Sequence, residues 1–241
     1  MRLFRLPLSY GQKLFALATL PLILAVVAIA FMVAAQARHL AEREISALEN
    51  RLIEAKKEEL RNYVTQARNG FYYIYGSATP EDEAAKEQVK QILAAMIYGT
   101  EGFFFVYDYD GTNLVSPRQT DMINRNWAGL QDSQGTPVVD SLIEIARSGA
   151  GYHTFLWPKP STGTEAQMVA YVTGFQSWRW AVGTGVFIDD VLATTAAARA
   201  EVESRVQRTF LYIGAIALGA VLMVFTTGLF INIRERRLAD A

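Results

Sequence analysis

The segment Gly102-Phe-Phe-Phe-Val-Tyr-Asp-Tyr-Asp-Gly111 reads as a strand that is apolar on both sides. In an extended chain successive side chains alternate. Phe103, Phe105, Tyr107 and Tyr109 therefore share one face, and Phe104, Val106 and Asp108 the other. This pattern predicts a central strand covered above and below. Asp110-Gly111 predicts a two-residue hairpin turn, with Thr112 to Val115 returning as the partner strand.

Further strands are expected on the C-terminal side: Gly151 to Trp157, Ala166 to Gly174, and Trp178 to Ile188 after a short turn near Gln176-Ser177. Before them, Gly135-Thr136-Pro137 opens a helix carrying Val138, Leu142, Ile143 and Ile145, which Gly149 ends. On the N-terminal side, Thr79-Pro80-Glu81 marks the start of a helix running to about Tyr98, with Thr79 as cap. Ahead of it, Arg38 to Gly70 reads as one long helix: Ile45, Leu48, Leu52, Leu60, Tyr63 and Val64 recur at helical spacing, and charges fill the other face. Asp189-Asp190 opens a last helix, Val191 to Arg208. The order predicts an α+β domain: a five-stranded, mainly antiparallel sheet with helices gathered around it.

Two uncharged stretches place this domain beside a membrane. Leu14 to Ala37 and Thr209 to Ile233 each exceed the roughly 20 residues needed to span a bilayer. A signal peptide is the alternative for the first, but its apolar region is longer than such segments use. A buried core helix is the alternative for the second, but Leu211 to Phe230 has no polar face. Arg2, Arg5 and Lys13 precede the first span, and Arg234, Arg236 and Arg237 follow the second, so both ends are expected in the cytoplasm. The expected layout is a cytoplasmic start over 1–13, spans at 14–37 and 209–233, an extracytoplasmic domain over 38–208 with its sheet core in 102–188, and a cytoplasmic stub at 234–241. Between the spans there are 17 basic and 22 acidic residues, which argues against nucleic acid as a partner. With no cysteine in the chain, neither a disulfide framework nor a thiolate metal site is available.

Catalytic signatures are missing. The chain has no His-Glu-x-x-His, no phosphate-binding loop and no G-x-S-x-G elbow, and its two histidines, His39 and His153, stand far apart. No enzyme activity, cofactor or metal is expected within these residues. An aromatic and cationic set does recur on the sheet and its loops: Tyr107, Arg118, Arg125, Trp127, Tyr152, Trp157, Lys159 and Tyr171. Apolar walls with a few convergent polar groups are what a small-molecule pocket requires, and cations with tyrosine hydroxyls suit a carboxylate.

Gly102 to Val115, Ser116-Pro117, Arg125-Asn126-Trp127, Trp157-Pro158-Lys159-Pro160 and Trp180-Ala-Val-Gly-Thr-Gly-Val186 through Asp189-Asp190 together resemble the single Cache domain, of its second type, found in bacterial transmembrane receptors. The resemblance covers most of Glu42 to Arg199. It implies a PAS-like sheet packed on the long N-terminal helix, a homodimer, and a small-molecule site taking short organic acids, lined by Tyr107, Trp127, Tyr152, Trp157, Lys159 and Tyr171. Two positions depart from the family pattern: Ser116-Pro117 stands where His-Pro is common, and Met168 where a lysine is common. Both remove a cation, which favours less charged ligands.

The expected function is a receptor of the bacterial inner membrane with a periplasmic sensor domain. It would signal through the second span to a histidine kinase, as a domain or a partner. A chemoreceptor is the alternative output. A ligand-free interaction module is the alternative function, and it predicts a filled core behind Tyr107 and Trp127.

Overall fold

The computed structural model describes residues 10–239, so Arg2 and Arg5 lie outside the described residues. The elements in order are α1 (Tyr10–Ser77), α2 (Glu83–Ala95), β1 (Ile97–Tyr98), β2 (Gly102–Asp108), β3 (Asn113–Val115), a 3-10 turn (Thr120–Met122), α3 (Val139–Ser148), β4 (Ala150–Pro158), β5 (Glu165–Phe175), a second 3-10 turn (Gln176–Trp178), β6 (Trp180–Phe187) and α4 (Asp189–Ala239). Two compact units result: Leu48–Thr195, and the segments before and after it.

Within Leu48–Thr195 every strand pairing is antiparallel. The strand order is β1-β2-β6-β5-β4, with β3 also on β2. The fold is thus the expected α+β sheet, with the two-residue strand β1 added at its edge. Strand β2 has the two-faced burial its alternation requires. Phe103, Phe105, Tyr107 and Tyr109 join a core with Val139, Leu142 and Ala146 of α3. Phe104 and Val106 join another with Val64, Ala67 and Phe71 of α1 and Val89 and Leu93 of α2. The sheet is a middle layer, with α1 and α2 on one face and α3 on the other.

Local differences from the sequence reading have local causes. Helix α1 runs through Gly70 to Ser77. A mid-helix glycine costs about 1 kcal/mol relative to alanine, and the buried neighbours Ala67 and Phe71 offset that. Helix α2 starts at Glu83, not beside Thr79, because the Asp82 carboxylate accepts a hydrogen bond from the Ala85 N–H at 3.0 Å. The turn after β2 is wider than two residues. The Asp108 carboxylate accepts from both Asp110 N and Thr112 N, at 3.0 and 2.8 Å, and Tyr107 pairs with Asn113.

In the other unit, α1 and α4 each contain a stretch long and apolar enough to cross a membrane. Leu22, Leu24, Phe31 and Met32 on α1, and Leu211, Ile216, Met223 and Phe225 on α4, are exposed, as lipid-facing residues would be. Arg38 forms an ion pair with Glu203 at 3.3 Å, and Phe31 lies against Phe210 with centroids 5.5 Å apart.

Candidate functional site

Strand parity determines which side chains meet. On β4, His153, Phe155 and Trp157 face α3, while Tyr152, an odd number of residues from Trp157, faces α1. On β5, Met168 sits opposite Phe155, and Tyr171 sits opposite Tyr152. Phe155, Trp157 and Met168 thereby meet Phe103, Phe105 and Tyr107 of β2. Val138 and Leu142 close the top, and Ser116 and Gln119 close the side. They line a partly open chamber of about 20 Å³, room for roughly one water.

A second, wider cleft of about 250 Å³ lies outside it, against Met122, Trp127, Leu130, Asp132 and Leu156. The two spaces share Gln119, Val138 and Trp157. Trp157 is fixed where they meet: its Nε1–H donates to Gln119 Oε1 at 2.8 Å, and its ring meets Phe155 edge-on. Gln119 Nε2 in turn donates to Pro158 O at 3.4 Å, so one glutamine holds both the wall and the strand end. Met168 has its place because β6 has Gly185 beneath it. A Cβ there would lie 2.7 Å from the methionine sulfur.

The eight residues proposed from sequence are dispersed. Tyr107 and Trp157 line the inner chamber, and Trp127 lines the outer cleft, its Nε1–H donating to Met122 O at 3.0 Å. Arg118 donates to Gly102 O and Gly99 O, bracing the turn before β2. Arg125 is exposed, and its carbonyl accepts from Asn113 N. Tyr152 donates to Lys57 O on α1 at 2.9 Å and stacks on Tyr171, on the face away from the chamber. Lys159 pairs with Asp189 at 2.6 Å, at the first turn of α4, and lies over the Phe187 ring. Sequence reasoning did not name Gln119, Leu142, Phe155 or Asn113 as site residues. For Phe155 the signal was available, since it shares parity with Trp157. For Gln119 there was none, because a polar loop position depends on where the loop packs.

Burial pushes the Tyr107 hydroxyl up to about 12, opposed by the neighbouring Asn113 amide, so it stays a neutral donor and acceptor. At the outer cleft, Asp132 accepts from Leu156 N, Gln134 N and Thr136 N, at 2.9, 2.9 and 2.8 Å. These backbone donors, Leu156 foremost, hold its carboxyl below the ordinary aspartate range, against a smaller opposing effect of burial. A depressed carboxylate stabilises the fold above its unfolded pKa, and that contribution disappears as pH falls through the folded value. Asp132→Asn should therefore lower the melting temperature at pH 7 and narrow the gap to wild type progressively below about pH 4. Thermal melts across pH check this; a gap that stays constant down to acid pH would exclude the carboxylate as its source.

A single antiparallel sheet with two helices on one face and a small chamber on the other is the arrangement of a PAS-like sensor domain. The chain belongs to the family described as single Cache domain 2, whose model matches residues 52–201. It is 41% identical over 234 residues to the sensor histidine kinase MctS of Rhizobium johnstonii, covering 97% of this chain and 51% of that protein. Among solved structures it resembles a methyl-accepting chemotaxis protein from Vibrio parahaemolyticus at TM-score 0.58 and 32% identity, over 61% of this chain and 99% of that one. It also resembles a Cache chemosensory domain described as recognising carboxylic acids, at TM-score 0.52 and 26% identity, over 58% of this chain and 97% of that one. The chain spans about half the length of the kinase it matches. It carries a Cache sensor domain of the kind found in histidine kinases and chemoreceptors, between two candidate membrane helices.

Proposed function

We propose that this chain is the sensing part of a two-pass inner-membrane receptor that binds a short organic acid behind Trp157 and signals through α4 to a histidine kinase. The observation that carries the reading is the Trp157–Gln119 pair at the meeting of the two spaces. Trp157 and Gln119 line both the small chamber and the wider cleft, and Lys159, two residues further on, is ion-paired to the start of α4. The 250 Å³ cleft against Trp127 supports a ligand site over a ligand-free interaction module, while the space beside Tyr107, about 20 Å³, is nearly filled. Identity to a sensor histidine kinase over nearly the whole chain favours that output over a chemoreceptor. The acid ligand is supported by the resemblance to the carboxylic-acid-recognising domain.

The chamber has room for about one water, less than a short acid occupies, so binding has to displace lining side chains, with Trp157 and Met168 the proposed movers. Methionine adapts readily. Displacing Trp157 breaks its bond to Gln119 and shifts Pro158 and Lys159. The shift reaches Asp189 and biases α4. A ligand moves that equilibrium only by its differential affinity for the two arrangements. The sensor domain is proposed to lie in the periplasm with both chain ends cytoplasmic, and to pair with a second copy through exposed apolar α1 positions such as Leu48 and Leu52.

Calorimetric titration with a panel of short acids and amides tests the binding step. No heat and no thermal shift across the panel would end this reading. The coupling has its own prediction. The Lys159–Asp189 pair is partly solvated, so Asp189→Asn should cost no more than about 1 kcal/mol of stability. It should nevertheless abolish the ligand-induced change in mobility of a nitroxide placed through Thr194→Cys on the otherwise cysteine-free chain. An undiminished change in the variant would remove the ion pair from the signalling route.

A further inference from the structure

We propose that the outer cleft is a binding site of its own, taking a small organic cation, an ammonium group on a compact apolar body, as a second input to the receptor. It is independent of the acid reading, which concerns the chamber. The cleft holds about 250 Å³, just under the roughly 300 Å³ at which pockets for drug-sized ligands begin, so its occupant is small. Leu130, Val138, Leu156 and Pro158 supply apolar wall, and Trp127 and Trp157 supply two indoles.

Hydrogen-bond accounting favours positive charge in this space. Both indole N–H groups are spent: Trp127 Nε1 donates to Met122 O at 3.0 Å, and Trp157 Nε1 to Gln119 Oε1 at 2.8 Å. The Gln119 amide nitrogen already donates to Pro158 O at 3.4 Å. What the tryptophans offer a ligand is therefore ring surface, and the faces of an aromatic ring attract cations. The charged side chains act in the same direction. Asp121, Asp132 and Glu165 line the cleft, and among its described lining residues there is no lysine, arginine or histidine. An anion would meet three negative charges without a counter-charge, whereas a cation is attracted by all three.

Two features point to an organic ammonium over an inorganic ion. The Asp132 carboxylate is committed to Leu156 N, Gln134 N and Thr136 N, so it acts on a ligand through its charge and not as a ligating group. The carboxylates are also spread out: among the described residues no group of three or more is placed to hold a metal ion. A hard cation needs several oxygen ligands at about 2.0 to 2.6 Å. An alkylammonium needs aromatic surface with negative charge nearby, and the cleft has both.

The test is calorimetry on the whole chain in a non-ionic detergent, with choline and with neohexyl alcohol, which has carbon in place of the quaternary nitrogen. Choline should bind about tenfold tighter than the alcohol. Its Kd should rise about threefold between about 0.05 and 0.5 M salt, as the carboxylates are screened. The double variant Asp121→Asn, Glu165→Gln changes exposed side chains only, so it should melt as the wild type does. It should weaken choline about fivefold. Equal affinity for choline and the alcohol would overturn the proposal, and so would unchanged choline binding in the double variant. No heat from choline would overturn it as well, while leaving the acid reading to its own panel. Silence across the acid panel with choline binding intact would end the acid reading alone.

Discussion

Replacing Gly174 with alanine is expected to lower stability by about 3 kcal/mol, at the upper end of the cost of overpacking a filled core. At about 2 to 4 °C per kcal/mol for a unit of this size, the melting temperature should fall by roughly 6 to 12 °C. Gly174 sits where β5 passes the C-terminus of α3. A Cβ there would run into the carbonyl oxygen of Ala146 and lie 2.7 Å from the Tyr109 hydroxyl. That carbonyl accepts from Gln176 Nε2 at 3.1 Å and from the Gly149 N–H at 3.2 Å, so it is fixed from two directions. Backbone cannot rotate away as a side chain can, and α3 has to lift from the sheet. Leu142 of α3, with Val138 just ahead of it, roofs the chamber, so the substitution should weaken ligand binding as well as stability. Thermal melts and a titration on the same sample check both. A variant melting within about 1 °C of wild type would show that α3 shifts at little cost.

The contrast between fold and site in legibility comes from the range of the interactions involved. The two-sided burial of β2 follows from neighbours in sequence, because alternation is a property of the strand itself. Parity extends this to β4 and β5: Tyr152 and Trp157 share a chemistry suited to one pocket, but their odd separation sends them to opposite faces. Met168, noticed in the sequence as a missing cation, does line the chamber, and Tyr171, three residues on, faces away. The partners of Lys159 and Gln119 were beyond reach. Asp189 is 30 residues from one and Trp157 is 38 from the other, so only the folded sheet brings them together. Loop arginines such as Arg118 offer the same difficulty: a guanidinium has five donors, and nothing in the sequence says which carbonyls take them.

Trp157→Ala is expected to have the largest effect on ligand binding, a loss of about 30- to 150-fold, or about 2 to 3 kcal/mol. Three things disappear with the indole: a wall shared by chamber and cleft, the edge-on contact with Phe155 at 5.8 Å, and the donor that holds Gln119. The chamber then opens into a wet cleft, and a small ligand loses the enclosure that supplies most of its apolar contact. Stability should fall too, by about 2 to 3 kcal/mol, below the range for a fully buried tryptophan because Trp157 is only half-buried. Loss of binding could therefore be mistaken for partial unfolding, and Trp157→Phe separates the two. It keeps an aromatic wall and most of the burial but cannot donate to Gln119, so melting should change by no more than about 1 kcal/mol. If the Trp157–Gln119 bond holds the chamber closed in the unliganded state, Trp157→Phe should bind at least as tightly as wild type while its ligand-induced response at α4 shrinks. A phenylalanine variant that binds and responds as wild type does would reduce Trp157 to a wall and remove the latch from the mechanism.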